Sequence, residues 1–472
     1  MKKNTLLIFS LLLFYLYPAF ASVEVRSNKL TTGDGLANNS IRYMSQDSKG
    51  FIWLGTLNGL SYYDGNSFVN IYPDIHNPLS LADSRIRSIE EDPNGFLWIS
   101  TMSSFISCYD LRHGRFVDFT GSGEYEQNYA YSLFASNGDM WLYHKFFITS
   151  DNSVWLWHNQ NGCRRIVYQD GKFSSQTYKK ELGNLPSDRV QFVLESAKGE
   201  VWIGTRKGLL KYRNGQTDNL DPQSQSWEHI IAYEQYTCII TDKNEIYRHT
   251  YSTGKLEKVG SLAASFDDNS RVTGNFLLAD KWVLFTANGS YLLDIPTGKL
   301  SRYSDLNIKN GAVTKDNKKN VWVHNYTGHL WYVNVTTGNI KPFQFLSSEH
   351  IGYIDVERYS IVHDSRDIIW ITTYGNGLYA YELATGDLQH FTFDIGQSSH
   401  INSNYLQYVM EDRSGGIWVS SEFSGLSHLE ILNKGTLCIY PNGEDASDRS
   451  NTIRMLLRGK NGNVYMANRM GT

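Results

Sequence analysis

The stretch Asp47-Ser-Lys-Gly-Phe-Ile-Trp-Leu-Gly-Thr-Leu-Asn-Gly-Leu-Ser-Tyr-Tyr-Asp-Gly65 recurs down the chain in degraded copies. The clearest are Asp92-Pro-Asn-Gly-Phe-Leu-Trp-Ile-Ser-Thr101, Lys198-Gly-Glu-Val-Trp-Ile-Gly-Thr205, Asp364-Ser-Arg-Asp-Ile-Ile-Trp-Ile-Thr-Thr373 and Asp412-Arg-Ser-Gly-Gly-Ile-Trp-Val-Ser-Ser421. In the first copy Arg42 to Asp47 alternates, a polar turn follows, Phe51 to Gly55 is apolar, Asn58-Gly59 turns again and Leu60 to Tyr63 resumes. Such runs are short strands joined by tight hairpins. With Phe68 to Tyr72 as a fourth run, the unit is antiparallel, about 45 residues long, and the size of one β-propeller blade.

The tryptophans count the units. Trp53, Trp98, Trp141 and Trp202 hold one position, Tyr247 stands in at the fifth, Trp282, Trp322, Trp370 and Trp418 follow, and Tyr465 holds the tenth. Each is expected on a second strand, packed between neighbouring blades. Propellers typically close with roughly four to eight blades. The expected fold class is therefore all-β: a seven-bladed propeller over residues 22–345, then an incomplete second propeller of about three blades over 346–472. Val25 to Leu30 is a candidate for closing a ring by completing a blade begun at the other end of the chain.

Residues 1–21 read as an export signal, with Lys2 and Lys3, an apolar run from Leu6 to Tyr17 and small residues at Ala19-Phe-Ala21. That run is shorter than the roughly 20 residues needed to cross a bilayer. At 472 residues and 41% hydrophobic, the chain is globular and larger than one ordinary core. A formal net charge of −4 with scattered Lys and Arg leaves no basic stripe for nucleic acid. Cys108, Cys163, Cys238 and Cys438 show no metal-ligand or redox spacing and read as small buried residues, with an exported disulfide left open.

The Asp-x-x-Gly turns lack the alternating oxygen ligands of a calcium loop, so neither metal nor cofactor is expected. Glu90, Glu91, Asp92, Glu195, Glu411 and Asp412 resemble a supply of general acids and bases, yet most fall near the same hairpin of each unit, so the repeat accounts for them. The thirteen histidines form no metal-binding pattern, and no nucleophile elbow or phosphate loop occurs. No catalytic constellation emerges, so this chain reads as non-enzymatic.

Two features stand outside the repeat. Trp141 and Trp202 are too far apart, and Tyr143 to Trp157 reads as a lengthened hairpin carrying His144, Trp155 and Trp157, either a blade covering its neighbour or an aromatic platform for sugar rings or a partner. Loops before each first strand and between second and third strands share one propeller end by strand alternation. That end carries Asn58, Asp83, Arg85, Asp188, Arg189, Arg206, Lys207, Tyr374 and Asn376, a mixture suited to a polyhydroxylated ligand, neutral or acidic, or to a solvated rim.

Leu30-Thr-Thr-Gly-Asp-Gly-Leu36, Asn39-Ser-Ile41 and the opening repeat from Asp47 to Gly65 closely resemble bacterial hybrid two-component sensors with two-component regulator propeller repeats, common in glycan-foraging Bacteroidetes. The resemblance implies a periplasmic, homodimeric sensor region that binds oligosaccharides and controls polysaccharide-utilisation genes, with membrane anchor and kinase in a further C-terminal part. It carries no ligand residue across. A propeller lyase or glycoside hydrolase, and a protein-docking scaffold, are the alternatives.

Overall fold

In the computed structural model each copy of the repeat forms one twisted antiparallel sheet. The structure describes residues 23–468 except 75, 78, 103–105, 120–144, 159, 197–198, 222–224, 305, 307, 326–328, 344–358, 396–399, 433–452 and 459–463. Among the described residues nine four-stranded sheets follow one another. Their first strands are Ile41–Gln46, Ile86–Glu91, Lys145–Ile148, Val190–Glu195, Trp227–Tyr233, Gly274–Leu278, Ala312–Lys315, Ile361–His363 and Leu406–Glu411, and these begin blades 1 to 9. Blades 1 to 8 use consecutive strands, whereas blade 9 takes its fourth from Val25–Leu30, beside Leu426–Ile431.

The ring closes there. Leu30, Leu36, Ile41 and Leu54 share one apolar cluster with Met410, Trp418 and Leu426. The expected seven blades plus an unfinished second propeller are thus corrected to nine blades in one ring, a compact unit spanning Val25–Glu430. Val25 to Leu30 does complete a distant blade, but the ninth. Blade number depends on where that strand finds its partner, which the repeat motif does not encode. The expected domain boundary at 345 and the signal segment lie outside the described residues. A second unit contains the hairpin Ile453–Arg458 with Val464–Asn468, where the tenth copy was expected.

The repeat motif decodes as packing. Asp47, Asp92, Asp316, Asp364 and Asp412 each accept the indole N–H of Trp53, Trp98, Trp322, Trp370 and Trp418 at 2.6–3.0 Å. The other carboxylate oxygen caps the turn: Asp47 Oδ1 accepts from the Lys49 and Phe51 amides, both at 2.9 Å. Gly50 completes that turn at φ +99°, so the Asp-x-x-Gly pattern is hairpin chemistry. Two residues after the Trp, a Cβ on Gly55 would lie 2.7 Å from Ile86 of the next blade, and one on Gly204 would lie 2.2 Å from Phe192. The Thr that follows donates to the turn: Thr56 to the Gly59 carbonyl at 2.7 Å and Thr205 to that of Gly208 at 2.9 Å.

Several sequence assignments shift. Trp141 lies outside the described residues; the second strand of blade 3 is Val154–His158, so Trp155 holds the position. The lengthened hairpin is therefore the first two strands of blade 3. Tyr247 sits on the third strand of blade 5, Glu245–Thr250, and the large aromatic in that seam is Trp227, packed with Trp202. Trp282 is on a second strand but one register out: it faces backward to Cys238 and Ile240, while Val283 faces blade 7.

The suspect carboxylates tie blades together. Glu91 accepts the Ser48 amide at 2.6 Å, Glu195 that of Ser150 at 2.8 Å and Glu411 that of Ser365 at 2.9 Å, each from the preceding blade. Cations one or two residues past the turn Asp reach forward: Lys318 to the Asp364 carbonyl at 2.8 Å, Arg366 to that of Gly415 at 2.9 Å, and Arg413 across the closure to Ser48 at 3.0 Å. Cys108, Cys163 and Cys238 are free and buried, and burial pushes the Cys238 thiol up to about 12; Cys438 lies outside the described residues.

Candidate ligand-binding face

Backbone hydrogen bonds gather the loops expected to share one end. The Leu57 amide bonds the Ser40 carbonyl at 3.0 Å, Met102 bonds Arg85 at 2.8 Å, and Arg206 bonds Arg189 at 3.0 Å. Glycines in the same turns reach the next blade: Gly59 to Ser84 at 2.6 Å, Gly162 to Asp188 at 2.8 Å, Gly377 to Asn404 at 3.0 Å and Gly425 to Asn39 at 2.9 Å. The Asn-Gly and Ser-Gly dipeptides of the repeat thus lock this rim.

Asn58, Arg85, Arg189, Arg206 and Lys207 are exposed on that end, and Tyr374 and Asn376 are half-buried there. They form three groups. Asn58 and Arg85, the latter 3.6 Å from Asp83, belong to blades 1 and 2. Arg189, Arg206 and Lys207 crowd blade 4. Tyr374 packs edge-on against Tyr405 at 5.2 Å, and Asn376 donates to the Tyr379 hydroxyl at 2.6 Å. Trp155 and Trp157 do not join them: both are buried between blades 3 and 4 with Tyr178 and Tyr212, so neither is a platform. Apolar hairpins bury their rings because a large aromatic gains most by leaving water. His144 lies outside the described residues.

Sequence reasoning missed a set of bulges. In blades 1, 2, 4, 5 and 9 the register slips after the first residue of the innermost strand, leaving Arg42, Arg87, Gln191, Glu228 and Gln407 as the extra residue. A bulge re-aims its side chain and ends regular pairing. All five are polar, half-buried and at the loop-bearing end of the innermost strands. Alternation alone conceals them, because a bulged strand still reads as alternating.

At the seam of blades 9 and 1 these residues assemble. Arg42 donates to Gln407 Oε1 at 3.3 Å and Glu422 Oε1 at 3.2 Å, and Gln407 donates to Glu422 Oε2 at 3.2 Å. The Glu422 amide bonds the Tyr405 carbonyl at 3.0 Å, placing both beside Phe423. Tyr405 is 51% and Phe423 69% exposed, where aromatic rings are normally covered. Below them Tyr43 and Tyr408 pack at 5.0 Å, and burial raises both phenols. A signal for Phe423 exists in the sequence: Ser421 to Gly425 is one residue longer than Thr56 to Gly59 and carries an aromatic.

The remaining exposed apolar side chains follow the same division. In Val25–Glu430, Tyr72, Leu79, Leu182, Ile395, Tyr405 and Phe423 lie in loops of this end, while Val69 and Leu388 lie on outermost strands. In blade 6 one carboxylate anchors the loops of this end. Asp268 accepts from Thr286 at 2.5 Å, Tyr291 at 2.7 Å and Asn288 at 2.9 Å; desolvation raises its carboxyl, but Ser270, Thr286 and Tyr291 outweigh it and hold it at about 2. Among the described residues no cluster of three or more metal-ligating side chains occurs, and no helix is long and apolar enough to cross a membrane.

Together these features define a closed repeat propeller with one elaborated, partly apolar end. Within and just before its blades 1 and 2, residues 35–58 and 80–103 match the family model described as two component regulator propeller. Among proteins of curated function none matches the sequence significantly. Over 95% of this chain and 58% of the other, it is similar at 18% identity and TM-score 0.37 to the extracellular domain of the putative hybrid two component system BT4673 from B. thetaiotaomicron. The corresponding domain of BT3049 from the same organism matches at 18% identity and TM-score 0.27, over 94% and 70%. A streptogramin B lyase matches at 12% and 0.41, over 88% and 100%. At these scores the likenesses bear on neither the blade number nor the ligand.

Proposed function

We propose that this chain is the extracytoplasmic, periplasmic sensing region of a hybrid two-component system, and that it binds an oligosaccharide on the loop-bearing end. The observation that carries the reading is the seam of blades 9 and 1, where exposed Tyr405 and Phe423 flank the Arg42–Gln407–Glu422 network. Rings cover the apolar faces of a sugar, and a fixed array of donors and acceptors matches its hydroxyls. The two matches to the two-component regulator propeller model support the signalling context. Signalling further requires that ligand favour one of two arrangements of a homodimer, since equal binding to both shifts nothing. The catalytic alternative has lost Glu91, Glu195 and Glu411 as candidates, because each is committed to a neighbouring blade.

Calorimetry against a panel of neutral and acidic oligosaccharides tests the reading. At least one member is expected to bind, with Tyr405→Ala and Phe423→Ala each weakening it about tenfold, a loss of about 1.4 kcal/mol. Silence across the panel counts against direct sensing. Binding that survives both substitutions moves the site away from the seam.

A further inference from the structure

We infer that the blade 4 corner of the loop-bearing end recognises an anionic group, so that the ligand of the proposed sensor is an acidic oligosaccharide. This rests on the sensor reading and narrows it. The amide of Arg206 bonds the carbonyl of Arg189 at 3.0 Å, which sets two exposed arginines side by side, with exposed Lys207 next in the chain. Among the described residues none of the three has an ion-pair partner. Several arginines elsewhere are engaged: Arg42 by Glu422, Arg165 by Asp151, Arg248 by Glu257.

Cations left together without counter-charge repel one another, an arrangement relieved by an incoming anion. Neither of the acids next to this corner forms an ion pair with the three cations. Asp188 accepts the Lys180 amide at 2.7 Å, and Glu181 pairs with Lys179 at 3.5 Å. Two guanidinium groups beside an ammonium suit carboxylate or sulfate, which accept paired N–H bonds. The bulged Gln191 lies two residues from Arg189, at the same end of the innermost strand, and supplies a neutral donor and acceptor for sugar hydroxyls. In a chain of net charge −4 the corner is a local exception, and long-range attraction does not explain it.

Matched pairs test it: an oligogalacturonate hexamer against its fully methyl-esterified form, and a sulfated against an unsulfated dextran oligosaccharide, titrated into the protein at low and high salt. The charged member of at least one pair is expected to bind at least tenfold tighter at low salt, with the preference shrinking as salt screens it. Arg189→Ala/Arg206→Ala/Lys207→Ala is expected to abolish the preference, whereas Lys172→Ala, at an exposed lysine that begins the fourth strand of blade 3, preserves it. Equal affinity within both pairs overturns the inference while leaving the sensor reading intact if the neutral members bind. Retention on phosphatidylglycerol vesicles without preference in either pair also overturns it, assigning the corner to a membrane surface.

Discussion

Trp98→Ala is expected to lower the unfolding free energy by about 3–5 kcal/mol, the range for removing a buried large aromatic from a core. The side chain is fully buried between blades 2 and 3. The more discriminating variant is Trp98→Phe. It keeps most of the apolar volume but removes the indole N–H that Asp92 accepts at 2.9 Å, leaving that carboxylate, only 4% exposed, with the Asn94 and Phe96 amides alone. A buried acceptor deprived of one partner costs about 1–3 kcal/mol beyond the volume lost. Trp202→Phe supplies the control. Ser196 occupies the Asp position there, and the Trp202 indole N–H has no acceptor among the described residues.

The two phenylalanine variants should therefore differ by about 1–2 kcal/mol in chemical denaturation, Trp98→Phe being the weaker protein. The pH dependence provides a second readout. Burial raises the Asp92 carboxyl above its ordinary value, and the indole bond opposes that rise. Its loss raises the folded-state value further. A group whose folded value exceeds its unfolded one loses stability as pH climbs through the unfolded value, so the Trp98→Phe deficit should be largest near neutrality and shrink as acid neutralises Asp92. Equal deficits in the two variants at neutral pH, or a pH-independent difference, would refute the assignment of Asp92 as the Trp anchor.

The Asp–Trp pair shows what was legible in the sequence. Strand order within a blade and the structural role of the turn carboxylates follow from residues that recur, because each recurrence reports the same local contact. Where the motif is degraded the position was misplaced: in blade 3, where Trp155 holds it, and in blade 5, where Tyr247 lies on the third strand. Three things did not follow. Trp282 carries the right residue in the wrong register, and a one-residue slip sends a strand's side chain to the opposite face without altering the local pattern. Bulged residues such as Arg42 and Gln407 look like ordinary alternating positions. The blade count depends on a pairing between chain segments far apart in sequence, Val25–Leu30 and Leu426–Ile431, and neither segment carries a mark naming the other. The candidate face was legible as a face through strand alternation, but its seam was not, because Arg42 and Glu422 meet only once the ring closes there.

That closure makes Gly425→Ala the substitution with the widest consequences. In blade 3 a Cβ on Gly162 would meet the Tyr178 carbonyl at 2.2 Å, and in blade 8 one on Gly377 would meet Phe391 at 2.2 Å. Each carbonyl belongs to the end of the blade's own fourth strand. In blade 9 the same place beside Gly425 is held, at 2.3 Å, by the carbonyl of Leu30, the end of Val25–Leu30. All three glycines also have positive φ, +77°, +74° and +80°. Gly50, at φ +99° with nothing within 4 Å of its Cβ position, isolates the backbone term, and Gly50→Ala should cost about 1–2 kcal/mol. Gly162→Ala, Gly377→Ala and Gly425→Ala add a backbone collision and should each cost about 3 kcal/mol or more. Only Gly425→Ala pushes against the segment that closes the ring. It alone should make residues 25–30 rapidly cleavable by protease under native conditions, and it alone should weaken any ligand held at the Arg42–Glu422 seam. If Val25–Leu30 stays protected in Gly425→Ala while the other two variants lose comparable stability, the ring is closed by a different strand.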